Sequence, residues 1–239
     1  MYRLIDKESQ HVLLVAEDLQ GFFIEPSQEF SSDIILLGVP RTPPPPSGIV
    51  DDVELHVMDH QCKRIGAYYI RRANFGTSNE IGRSDDLVNV VSSFHGYAYP
   101  HPYAGDIWRR WALGGIKLGE WASRPTDTHD SWLHVAQTVW FESGRRAIRY
   151  GADSTVSMDG STINSEPSFY CATGEAVNGA GGYFGSSLSG LADCLSSVRK
   201  ASLQVIWNEA RHSRERLGEE FFTSAVNLMQ EFGIEVTLR

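Results

Sequence analysis

The sequence predicts a chain in two parts. Residues 1–150 read as a mostly-β or α+β domain, and residues 151–239 as an α/β domain with a three-stranded parallel sheet and helices. Three observations lead there. The first hundred residues carry short apolar, β-branched runs broken by proline and glycine. From Ala104 the texture turns helical. After Gly151 the order becomes strand, helix, helix, strand, helix, strand, and strands separated by helices favour parallel pairing with covered faces. A length of 239 residues allows two domains, and 41% hydrophobic with 21% charged residues suits packed cores.

Taken in order, His11 to Ala16, Gly21 to Ile24 and Ile35 to Gly38 are expected strands, the second with paired aromatics. Pro40 to Gly48 contains four consecutive prolines. Such a run fits neither a helix nor a central strand, so it is an exposed, stiff connector. Val53 to Met58 and Ile65 to Ile70 form a hairpin around Asp59-His60-Gln61-Cys62-Lys63, and Leu87 to Val91 is a further strand. Trp108, Trp111 and Leu113 fall near helical spacing. Ser131 to Tyr150 carries a broad apolar stripe of Leu133, Ala136, Val139, Trp140 and Ile148. Beyond Gly151 come strand Thr155–Met158, a turn at Asp159-Gly160 and helix Glu166–Val177. A glycine-rich loop at 178–182 precedes helix Ser187–Ser197, strand Leu203–Trp207, helix Glu219–Phe232 and strand Ile234–Leu238.

The formal charge is -9. This disfavours a nucleic-acid sheath and suits a basic protein partner. From 151 onward eleven acids face six bases, so -5 of that charge sits on the shorter part. No apolar run reaches the ~18 residues of a membrane helix, and Met1 to Asp6 does not read as a signal peptide, so a cytoplasmic address is expected. Three cysteines, Cys62, Cys171 and Cys194, argue against a disulfide framework or a cysteine zinc site. His56, His60 and Cys62 lack a fourth ligand at convincing spacing, so no metal or cofactor is expected. GxSxG, P-loop, GxGxxG and HExxH patterns are missing, which disfavours an enzyme. The tryptophans Trp108, Trp111, Trp121 and Trp132 read as core. The basic clusters Arg109-Arg110 and Arg145, Arg146, Arg149 fit either solvated helix ends or neutralisation of the acidic part.

The helix from Ser187 carries the sharpest signal. At 100° per residue Leu188, Leu191, Ala192 and Leu195 share one side, flanked by Cys194, while Ser189, Asp193, Ser196 and Ser197 share the other. Asp193 is the helix's single charge, central to a face of small polar groups. Gly179 to Gly182 permit close approach by another surface, and Tyr183 and Phe184 offer flat contact area beside it.

The run from Tyr183 to Leu195, YFGSSLSGLADCL, resembles the signature of the barstar family of intracellular ribonuclease inhibitors. The similarity extends to Val156–Gly160, Leu203–Trp207 and Gly218–Leu238, and so spans about 151–239. The resemblance implies a non-enzymatic, immunity-type protein that blocks a basic secreted guanyl-specific ribonuclease or a related toxin. In this reading the carboxylate of Asp193 stands in for the RNA phosphate. Tyr183 matches the family's stacking aromatic, and Gly185, Ser187 and Ser196 match small or polar contacts. The chain departs from the pattern at four positions. Ser189 stands in place of a second aspartate, Ala192 of an exposed tryptophan, and Leu228 and Phe232 of two glutamates. These departures point to a ribonuclease or toxin other than barnase. Leu228, Phe232 and Phe221 then form an apolar flank, expected to be covered by the N-terminal part or by a less polar partner.

A different class of reading places an enzymatic or ligand-binding activity in residues 1–150, with the C-terminal domain as a docking module. Its support is the segment 95–103, where His95, His101 and Asp106 could line a pocket.

Overall fold

A computed structural model describes residues 1–24, 34–82, 86–96, 101–197 and 203–239, without the side chains of 77–82. The chain divides into two compact units, Met1–Gly114 and Gly115–Arg239.

The first unit is a curled antiparallel sheet of β1 (Tyr2–Asp6), β2 (Val12–Ala16), β3 (Asp18–Gln20), β4 (Ile34–Pro40), β5 (Gly48–Met58), β6 (Arg64–Gly82) and β7 (Leu87–His95), followed by α1 (Ala104–Ala112). The strand order is β2-β1-β5-β6-β7-β4-β3, and the Glu17 amide beyond β2 donates to Leu37 O of β4 at 2.8 Å. The expected hairpin forms because the Asp59 carboxylate accepts from the amides of Gln61 (2.9 Å) and Lys63 (2.8 Å), closing the turn between β5 and β6. Gly21 to Ile24 is a bend and not a strand. It drops Phe22 into the core, edge-on to Tyr68 at 5.5 Å and to Phe94 at 5.8 Å. Trp108 of α1 is also buried, and its indole N–H donates to the Tyr68 hydroxyl at 2.7 Å.

The second unit begins with two short 3-10 turns, Trp121–Ser123 and Thr126–Thr128, and helix α2 (His129–Glu142). The order β8 (Thr155–Asp159), α3 (Glu166–Asn178), α4 (Leu188–Ser196), β9 (Gln204–Asn208), α5 (Ala210–Leu217), α6 (Glu219–Glu231) and β10 (Glu235–Leu238) follows. The three strands pair in parallel as β10-β9-β8, with Val156 opposite Val205 and Trp207 opposite Leu238. The sequence pattern places the division at 150/151. In the structure residues 115–150 lie in the compact unit of the C-terminal part, and α2 packs on α3. Helix α5 was not anticipated, because its sequence ARHSRERL has almost no apolar periodicity. Its Ala210 and Ser213 are buried and tie it down.

From Ser168 to Val177 every residue of α3 but Ala176 is buried, which explains its apolar circumference. Phe169 stacks on Trp207 at 5.4 Å and 27°, and Trp207 meets Phe222 at 4.8 Å. The Trp207 indole N–H donates to Ser213 Oγ at 2.9 Å, and that hydroxyl donates to Gly160 O at 3.0 Å. Every member of this buried chain is satisfied, so it fixes β9, α5 and the turn after β8 together. Ser213→Ala orphans the buried Trp207 indole N–H, while Gly160 O keeps the Ile163 amide at 3.1 Å, and should cost about 2 kcal/mol. Denaturant unfolding should then show a lower midpoint at an unchanged slope.

Candidate functional site

Helix α4 is locked from below and open above. Leu191, Cys194 and Leu195 are buried, while Ser189, Asp193 and Ser196 are exposed. Ser187 caps the helix by accepting from the Gly190 amide at 3.1 Å. Gly185 holds φ at +100°, and a Cβ there would stand 2.7 Å from the Leu191 amide nitrogen, so only glycine lets the chain enter α4 at this angle. At the far end the Ser196 hydroxyl donates to Asp193 O at 2.6 Å.

The Asp193 carboxylate makes no hydrogen bond or ion pair among the described residues. It also lies in the C-terminal half of a short helix, where the backbone dipole disfavours negative charge. Nothing of its own unit's described residues compensates it, so its electrostatics improve when an external cation arrives.

Tyr183 departs from expectation. It is 4% exposed, with its hydroxyl 3.4 Å from Ser186 Oγ and its ring covered by Phe141 of α2 at 5.4 Å and 62°. It therefore offers no flat surface, because a helix outside the signature packs over it. Ser189 and Ala192 meet Leu188, Ser224, Asn227, Leu228 and Glu231 along a groove of about 440 Å³ between α4 and α6. Three of the positions that depart from the family pattern thus come together in one place. The expected apolar flank is divided. Leu228 and Phe232 are half-buried, whereas Phe221 packs edge-on against Phe169 (5.5 Å) and Tyr170 (6.1 Å) of α3.

Glu175 of α3 was not singled out beforehand. It is the buried carboxylate among the described residues, and it accepts from the Gly119 amide (2.7 Å), the Trp121 indole (3.1 Å) and the Gly181 amide (3.1 Å). It so anchors the glycine-rich loop that leads into α4. A lone charge inside the otherwise apolar stretch SFYCATGEAV was the available signal. Burial pushes its pKa above the usual carboxylate value, opposed by the three donors.

The remaining sequence candidates are engaged elsewhere. His56 Nε2 lies 3.0 Å from Glu54, and His60 Nδ1 lies 3.0 Å from Ala112 O. His95 is exposed beside Ser93 Oγ (3.2 Å), and Asp106 pairs with Arg109. Residues 97–100, the middle of that aromatic segment, lie outside the described residues, as do Arg199 and Lys200. Trp108, Trp121 and Trp132 are buried, and Trp111 is half-buried. Arg109 also pairs with Asp18 at 3.1 Å, while Arg145 lies over the Trp140 ring at 4.6 Å.

Glu175→Ala leaves the buried Trp121 and Gly181 donors without an acceptor and should cost about 2–4 kcal/mol at pH 7. With a raised folded pKa, the folded chain takes up this proton before the unfolded chain does as pH falls. The group's contribution to stability therefore increases on acidification, down to the ordinary value of 4.5. The wild-type advantage over Glu175→Ala, measured by denaturant unfolding, should grow between pH 7 and pH 5.

No curated protein matches the chain. Residues 154–237, which run from the entry to β8 through all of α3, α4, α5 and α6 into β10, match the family model described as Barstar (barnase inhibitor).

Proposed function

We propose that the C-terminal part of this protein inhibits a guanyl-specific ribonuclease or a related toxin inside the cell that makes it, as an immunity-type partner. The observation that carries this reading is the exposed carboxylate of Asp193 on α4, without a partner among the described residues and inside the region that matches an inhibitor family.

A ribonuclease must hold a phosphate with cationic side chains. A carboxylate on a rigid helix meets that same set with charge-assisted hydrogen bonds and loses little conformational entropy in doing so. Ser189, Ala192, Ser196 and the capping Ser187 surround it with small groups, so the cleft wall of the enzyme can approach α4 closely. Gly185 serves the site from below, by setting the helix entry. The acidic surplus of the chain accelerates encounter with a basic enzyme. Among the described residues no helix is long and apolar enough to cross a membrane, and the cytoplasm is the compartment this role requires.

In the groove Ser189, Ala192 and Leu228 stand where the family has two acids and an aromatic, while Glu231 keeps one acid in its lining. That difference selects a ribonuclease whose rim is less cationic there than barnase.

The test is titration of ribonuclease activity with the full chain. Asp193→Ala should weaken inhibition by about thirtyfold or more, because it leaves buried cations of the enzyme unpaired. Glu209→Ala, an exposed acid outside this face, should change it less than about twofold. Equal inhibition by both variants and wild type would remove Asp193 from the interface.

A further inference from the structure

Helix α2 lies outside the matched residues 154–237, yet its last turn reaches the candidate face. Phe141 is 45% exposed, and its ring meets Tyr183 at 5.4 Å. The Tyr183 hydroxyl in turn lies against α4, since a Cβ on Gly190 would stand 3.9 Å from it. Gly190 and Asp193 are one turn apart on the same side of that helix. The charge of Asp193 also contributes to the raised pKa of Tyr183, together with the dominant effect of burial. Phe141, Tyr183, Gly190 and Asp193 therefore form a continuous row, and its outermost aromatic is Phe141.

An isolated exposed phenylalanine is ordinary. Phe141 differs because it is seated on a buried tyrosine in the same row as a carboxylate without a partner among the described residues. An apolar ring and a carboxylate in one row suit a partner surface with the complementary pair, a planar side chain and a cation.

We propose that Phe141 supplies the aromatic contact of this face, taking a planar side chain at the rim of a basic ribonuclease cleft while Asp193 takes a cation within it. This rests on the inhibitor reading above. It adds that a segment outside the family region helps to set partner specificity, and that Tyr183 acts as the platform for that ring.

The experiment measures association and dissociation rates of the full chain with a panel of guanyl-specific ribonucleases headed by barnase. Phe141→Ala should speed dissociation about tenfold with association changed less than twofold, since a short-range apolar contact acts on complex lifetime. Phe141→Tyr keeps the ring over Tyr183 and should restore the lifetime to within about twofold. Thermal melting of each variant establishes folding. Should Phe141→Ala prove unfolded, 4-fluorophenylalanine at position 141 gives a second readout, its fluorine resonance shifting on complex formation. Unchanged or slower dissociation of Phe141→Ala, or an unmoved fluorine signal, would overturn the proposal, slower dissociation identifying the ring as a lid over Tyr183. Loss of binding by Asp193→Ala alongside an indifferent Phe141→Ala would overturn the Phe141 assignment alone. Absence of binding to every ribonuclease of the panel would overturn the inhibitor reading and this inference with it.

Discussion

A negative charge left without a cation of its own unit's described residues is the constraint around which the candidate face is organised. Asp193 stays outward because α4 cannot roll. Leu191, Cys194 and Leu195 fill the interior below it, and Ser187 fixes its first turn. The α4 entry is held as tightly, since Gly185 brings the incoming chain against Leu191. In the proposed complex the partner meets a charge already in position on a fixed helix, so little ordering entropy opposes the encounter.

That rigidity is assembled from α3 outward. Phe169 and Trp207 join the helix to the middle strand, and Ser213 joins that strand to α5 and to the turn after β8. On its other flank Glu175 holds the glycine-rich loop and the segment before α2 through three donors. A buried carboxylate carries a desolvation cost, which these three donors offset while tying α3 to the glycine-rich loop and to the segment before α2.

The sheet of the C-terminal part was legible because its strands are short apolar runs set between helices with clear periodicity. The structure adds caps that this periodicity does not show, Ser165 before α3 and Ser187 before α4. Asp193 was legible as a lone charge on a small polar face. Helix α5 was not, since its polar sequence folds through Ser213 and Ala210 and not through an apolar stripe. The burial of Tyr183 was not legible either. It depends on α2, a helix more than forty residues away in the chain, and no local pattern announces which aromatic a distant helix will cover. The apolar flank on α6 is divided for the same reason, because Phe221 is claimed by the rings of α3 while Leu228 and Phe232 stay half-buried. Local periodicity finds faces, whereas tertiary packing decides which of them remain open.

If the Asp193 carboxylate takes the place of a phosphate, inhibitor and nucleotide cannot share the cleft. The most direct measurement is inhibition of a susceptible guanyl-specific ribonuclease at increasing guanosine 3′-monophosphate. The account predicts strict competition, the apparent affinity falling in proportion to nucleotide occupancy. A complex that forms equally well with the nucleotide still bound would contradict it.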